Sequence, residues 1–154
     1  MKTRRAAPVE LIYFCTFEPK GNPMDAFAGG RKFISNHPTI ILKDGKPWAA
    51  LGTPGGHTIG QTTAQMALNL MDFGMDIQAA IDAPRVSFVE PNELAVEAEI
   101  PEKASADLRS MGHRVRVQRL GNAHGLTVEY DAAGKPARFT GGADRRGQGE
   151  AKGY

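Results

Sequence analysis

The sequence has 154 residues, of which 41% are apolar and 23% charged, and 19 Lys+Arg against 17 Asp+Glu leave a formal charge of +2. That balance belongs to one globular domain and excludes both a disordered chain and a strongly basic nucleic-acid binder. A single cysteine, Cys15, excludes a disulfide framework and a four-cysteine zinc site, and no apolar run approaches the roughly 20 residues that cross a bilayer.

Residues 1–30 read as a leader, expected to be disordered. Met1–Pro8 is basic, Leu11–Phe17 is a short apolar run, and Pro19, Gly21, Pro23, Gly29 and Gly30 break any regular element. The pairing of a basic start with an apolar run is that of a secretory signal. However, Thr16 interrupts the run, Pro8 and Glu10 precede it, and no small-residue cleavage site follows. The ordered region is expected over 31–154.

From Thr39 the pattern sharpens. Two β-type runs, Thr39–Lys43 and Pro47–Leu51, are joined through Asp44-Gly45, a pair that tolerates φ > 0 at both turn positions and so predicts a hairpin. Both runs are apolar on both faces, which predicts a sheet covered on both sides. Thr58 followed by Gln61 has capping-box spacing. Ile59, Thr63, Met66, Ala67, Leu70 and Met71 then make one helical stripe ended by Gly74. Asp76 is placed to cap a second helix over Ile77–Asp82, before Pro84. Short strands are expected over Val86–Val89 and Leu94–Val96. Pro101-Glu102 opens a third helix to Met111, with Ala104, Leu108 and Met111 inward. Arg114–Gln118, Leu126–Tyr130 and Arg138–Thr140 read as further strands. Met66, Met71 and Met75 are expected in the core. The class is mixed α/β.

Eighteen glycines are many for this length, and they cluster at Gly52–Gly60 and at Gly141–Gly153. A strand running through Thr53-Pro54-Gly55-Gly56 into a helix places free backbone N–H groups at a helix N-terminus, a ready anion site. Two glycines let a ligand approach that backbone without Cβ obstruction. In acyl transfer the same geometry makes an oxyanion hole, although Pro-Gly-Gly between a strand and a helix is more often a plain turn. By composition alone the terminal Gly141–Tyr154 stretch is a loose tail.

The runs Pro38–Trp48, Gly52-Thr53-Pro54-Gly55-Gly56, Asp72–Arg85 and Gly142-Ala143-Asp144-Arg145-Arg146, with the closing Gly153-Tyr154, resemble the C-terminal, small-subunit part of a γ-glutamyltransferase. The resemblance implies an N-terminal-nucleophile hydrolase fold, an αββα sandwich held here in part. It implies a precursor that cuts itself before a threonine, whose free amine then serves as base for its own hydroxyl. The implied substrate is a γ-glutamyl amide such as glutathione, with the acyl group passed to water or an amine, and no cofactor is called for. Gly55 and Gly56 match the implied oxyanion hole, and Ser35 matches one hydroxyl of a pair that binds the glutamyl α-carboxylate. The terminal segment is implied to run back through the sandwich near the active site.

Two departures matter. Ile34 stands where the second hydroxyl of that pair is expected, and no threonine stands in the nucleophile's Thr-Thr-His context. The chain is therefore expected to be a truncated copy, inactive by itself, that needs a large subunit or upstream segment. The alternative is a non-catalytic remnant or subunit with a structural or anion-binding role. His57 is a further candidate, to orient substrate or water. The other histidines, His37, His113 and His124, lack metal-ligand spacing. Arg114, Arg116 and Arg119 read as a solvated face, so neither a metal, a nucleic acid nor a membrane is expected as partner.

Overall fold

The computed structural model describes residues 37–89 and 92–153; the leader and Ser35 lie outside the described residues. In chain order the described elements are β1 (Thr39–Lys43), β2 (Lys46–Gly52), a single 3-10 turn (Gly56–Thr58), α1 (Ile59–Met71), α2 (Ile77–Asp82), β3 (Val86–Val89), β4 (Glu93–Val96), α3 (Glu102–Ser110), β5 (Arg114–Val117), β6 (His124–Tyr130) and β7 (Pro136–Ala143).

The hairpin forms as its turn chemistry dictates: Asp44 and Gly45 take φ of 52° and 76° between β1 and β2. These strands join β6 and β7 in an antiparallel sheet of order β1-β2-β6-β7, and β3, β4 and β5 make a second sheet in that order. β4 and β5 run parallel, with α3 as the crossover that a parallel pair requires.

The larger sheet has one covered face. Cross-strand pairing aligns Ile41, Ala49, Thr127 and Thr140, and beside them Thr39, Leu51, Gly125 and Gly142. On this side Ala49 and Leu51 join Met66, Leu70, Ile77, Ala80 and Ile81 in the core. α2 presses so closely on β6 and β7 that side chains have no room there. A Cβ on Gly125 would lie 2.8 Å from Ile77 Cδ1 and 3.1 Å from the Ala50 carbonyl oxygen, and one on Gly142 would lie 2.8 Å from Ile81 Cδ1. Gly125→Ala is therefore expected to lower stability by about 1–3 kcal/mol through overpacking. Gly52→Ala, whose Cβ meets nothing within 4 Å, should leave the urea midpoint in place. Equal midpoints for the two variants would contradict this account of the packing.

The other face differs from the expectation of cover on both sides. Ile40, Ala50, Leu126 and Gly141 share one row, and Ile40, Leu42 and Phe139 are each more than 60% exposed. Among the described residues the helices lie on one side only; on the other, Ile40, Leu42 and Phe139 stay open, while Val128 is buried and Gly141 meets Ala151 of the C-terminal segment.

The helices correct several sequence expectations. Thr58 precedes α1 but makes no side-chain cap; its hydroxyl donates to the Gly55 carbonyl instead (2.9 Å). Asp76 caps α2 as expected, accepting the Ala79 N–H at 2.8 Å. Of the methionines expected inside, only Met66 is buried; Met71 ends α1 and Met75 lies in the connection to α2, both exposed. In α3 the buried residue is Ser105, and Ala104 and Met111 face solvent. That short helix touches the sheet along a strip too narrow for the predicted apolar face.

The glycine-rich C-terminus is also corrected. Gly141, Gly142 and Ala143 complete β7, and Asp144 is buried. Beyond them the chain lies against β6 and β7: ideal Cβ positions on Gly147 and Gly149 fall within 2.2 Å of Asn122 Oδ1 and His124 Nε2 respectively, and that on Gly141 lies 3.3 Å from Ala151 Cβ. These glycines mark close approach rather than a linker.

Candidate functional site

Between β2 and α1 the chain turns through Gly55 and Gly56, with φ of 144° and 61°. Both values lie where a Cβ is strained, and a Cβ on Gly55 would stand 2.6 Å from Thr58 Oγ1. The Gly55 carbonyl is turned inward, accepting the Thr58 N–H (3.2 Å) and the Thr58 hydroxyl. Thr58 is thus the first donor of the turn, and the amides of Gly55, Gly56 and His57 stand ahead of it. They crown the 13-residue α1, whose dipole adds partial positive charge at this end. Gly55 is exposed and Gly56 partly so. The arrangement can present adjacent N–H groups to a negatively charged oxygen.

Beneath the turn lies the Leu120–Ala123 loop. The Asn122 N–H donates to Thr53 Oγ1 at 3.3 Å, and Gly121 Cα is 3.8 Å from the Cβ position of Gly55. Gly121 itself has φ of 73°, and a Cβ on it would lie 3.2 Å from both Thr53 Oγ1 and Arg85 Nη1. Only glycine lets these three segments meet so closely.

That loop is bolted to the rest of the molecule by buried charges. Arg85 and Asp144, 2% and 1% exposed, pair at 2.9 Å. Arg85 also donates to the carbonyls of Leu120 (2.8 Å) and Ile81. Asp144 accepts the Ala123 N–H at 2.7 Å, the Arg146 N–H at 2.9 Å and Arg146 Nη1 at 3.0 Å. Glu97, also buried, accepts the backbone N–H groups of Arg85 and Leu120 and both ends of the Arg146 guanidinium. Arg146 further donates to the carbonyls of Ile81 and Ala83, both at 3.0 Å. Four charged side chains thereby fasten the end of α2, the end of β4, the Leu120–Ala123 loop and the C-terminal segment together.

Burial alone would raise the Asp144 carboxyl, but the Ala123 and Arg146 N–H bonds and the two guanidiniums outweigh it and hold the group below the ordinary aspartate range. For Arg146, burial acts downward, and bonding to Glu97 and Asp144 overcomes it, leaving the guanidinium raised. Arg85 is lowered, first by burial and then by the nearby Arg146 charge. Two carboxylates thus face two guanidiniums across these bonds, so the network is a compensated one.

The expected site residues fall as follows. Gly55 and Gly56 form the turn just described. His57 contributes backbone to the 3-10 turn, and its side chain lies outside the description, as does Ser35. The His37 ring lies beside Gly60, 3.5 Å from its Cβ position, and His124 lies beside Gly149. Among the described residues no three His, Cys, Asp or Glu side chains group as metal ligands, and no helix is long and apolar enough to cross a membrane. Sequence reading missed Arg85, Glu97, Asp144 and Arg146 as one unit. Arg85, Asp144 and Arg146 lie in stretches quoted for the family resemblance; Glu97 carried no signal.

Comparison with known proteins decides the family. The γ-glutamyltranspeptidase family model matches residues 14–154. The chain belongs to the γ-glutamyltranspeptidase family. The glutathione hydrolase proenzyme of Bacillus subtilis strain 168 is 30% identical over 139 residues, covering 84% of this chain and 23% of that protein. The acylase ACY 1 proenzyme of Pseudomonas sp. strain SE83 is 34% identical over 148 residues, covering 88% and 26%. The chain thus spans about a quarter of the length of these relatives. Among solved structures, a γ-glutamyltranspeptidase T380A mutant from Helicobacter pylori superimposes with a TM-score of 0.70 at 30% identity, over 79% of this chain and 71% of that one. The fold is accordingly part of an N-terminal-nucleophile hydrolase sandwich.

Proposed function

We propose that this γ-glutamyltranspeptidase-family chain supplies the oxyanion-stabilising half of a site that cleaves γ-glutamyl amides such as glutathione. The observation that carries the reading is the Gly55–Gly56 turn at the head of α1, with both φ values positive and Gly121 packed behind it. When a nucleophile attacks an amide carbonyl, negative charge gathers on the oxygen. N–H groups already aimed at that position stabilise the charge without reorganising. The amides of Gly55 and Gly56 take this role, and His57 stands next to them to orient substrate or water. Ser35 contributes a hydroxyl to the glutamyl α-carboxylate.

The nucleophile comes from elsewhere. No threonine of this sequence lies in the Thr-Thr-His context of the family resemblance, so the reacting hydroxyl and the large-subunit contacts belong to a further polypeptide segment. The exposure of Ile40, Leu42 and Phe139 among the described residues supports this reading, because an αββα sandwich stacks its second sheet on such apolar side chains.

The test is release of the chromophore from a γ-glutamyl anilide. The 154-residue chain alone is expected to give no release above the buffer rate. Turnover that disappears in Gly56→Val would overturn the claim that the nucleophile is supplied from outside.

A further inference from the structure

We propose that Gln61 is a positioning residue: with Gln65 it forms a side-chain surrogate strand on the free edge of β3, and it thereby holds the Gly55–Gly56 turn in place. The inference rests on the oxyanion reading only for its functional meaning.

Among the described residues β3 is an edge strand, since the second sheet runs β3-β4-β5. A bare edge presents unpaired N–H and C=O groups on alternate residues. Here those groups are met by glutamine amides from α1. Gln61 Oε1 accepts the Phe88 N–H at 2.7 Å, and Gln61 Nε2 donates to the Phe88 carbonyl at 3.2 Å. Gln65 repeats the pattern two residues back: its Oε1 accepts the Val86 N–H at 3.0 Å and its Nε2 donates to the Val86 carbonyl at 2.8 Å.

The spacing explains why two consecutive pairs fit. Four helical residues rise about 6 Å, and two strand residues advance about 6.7 Å. A glutamine at i and i+4 therefore meets strand residues j and j−2 with little mismatch. Each primary amide sets an N–H donor beside a carbonyl acceptor, the pair that a neighbouring strand residue would offer, and Gln65 donates its second N–H to the Gln61 carbonyl at 2.9 Å. Leucine, alanine or a charged residue at these positions could not do both.

Gln61 lies in the first turn of α1, five residues after Gly56. Its clamp ties the mouth of the helix to the sheet, whereas the Gln65 clamp ties the same helix one turn further on. The network under Gly121 holds the turn from below, and Gln61 holds it from the helix side.

Amide spectra of the ¹⁵N-labelled full chain test this without turnover, so failure of the oxyanion reading and failure of this one are distinguishable. In Gln61→Leu the Phe88 amide is expected to exchange about tenfold faster, and the Gly55 and Gly56 amide resonances to shift. In Gln65→Leu the Val86 amide should accelerate by a similar factor while the two glycine resonances stay in place. Gln61→Glu, which keeps the acceptor for the Phe88 N–H and loses the donor, should shift the glycine resonances by an intermediate amount; it also serves if the leucine variant does not fold. Glycine resonances that ignore Gln61 substitution, or that move equally in the Gln65 variant, would overturn the proposal.

Discussion

Asp144→Ala is expected to lower the free energy of unfolding by about 3–5 kcal/mol, the usual cost of breaking a buried ion pair from one side. The side chain is fully buried and receives four donors: the Ala123 and Arg146 amides and the Arg85 and Arg146 guanidiniums. Deleting it leaves the buried Arg85 without its carboxylate partner. A urea unfolding series at neutral pH measures the loss, and a variant within about 1 kcal/mol of wild type, the range of surface pairs, would contradict the assignment. The pH dependence has a definite sign. The Asp144 pKa is depressed on folding, so its contribution is fully present above the unfolded-chain value of about 3.9. It is lost as pH falls through the lower folded value. The stability gap between wild type and Asp144→Ala should therefore close on acidification below that range, and not on alkalinisation.

Gly56→Val is expected to reduce kcat by about 10²–10³ with KM little changed, as for loss of an oxyanion-hole donor. Because the nucleophile is proposed to lie outside this chain, the measurement needs a chimera. In it, residues 37–153 replace the matching stretch of the Bacillus subtilis strain 168 glutathione hydrolase proenzyme. Gly56 has φ of 61°, and a β-branched residue there forces the backbone to shift. The donors then miss the oxygen that becomes charged. A chimera in which Gly56→Val changes KM and leaves kcat intact would assign the turn to substrate binding instead.

Much of this architecture was legible in local chemistry. Asp44-Gly45 encodes its hairpin because the turn demands two positive φ values, and Asp76 encodes the start of α2 because a short carboxylate reaches the Ala79 N–H. The Gly55–Gly56 turn was legible as a conformation and an anion-site pattern, and family resemblance tied it to γ-glutamyl chemistry. What local pattern could not show were partnerships across the chain. Arg85 and Asp144 stand 59 positions apart, and Arg146 and Glu97 stand 49 apart. Each looks like an ordinary surface charge until folding brings them together. Gln61 misled for the same reason: capping-box spacing suited it, yet β3 offered its amide two partners where the Thr58 backbone offered one. Met71 and Met111 misled differently. Helical periodicity marks an apolar face but not where the neighbouring sheet stops, and both residues lie at the very ends of their helices.

The glycines that stood out in the composition therefore serve two purposes. Gly125 and Gly142 let α2 lie on the sheet, while Gly55, Gly56 and Gly121 shape a turn at the head of α1 that is backed by buried charge. The central proposal is that this turn stabilises the oxyanion once a nucleophile and the large-subunit contacts are supplied from another segment. The most direct measurement is the γ-glutamyl anilide turnover of the same chimera with Gly56 intact. Turnover well above the Gly56→Val background is the predicted result. A chimera that folds and is cleaved at its threonine, yet shows no turnover, would contradict the account.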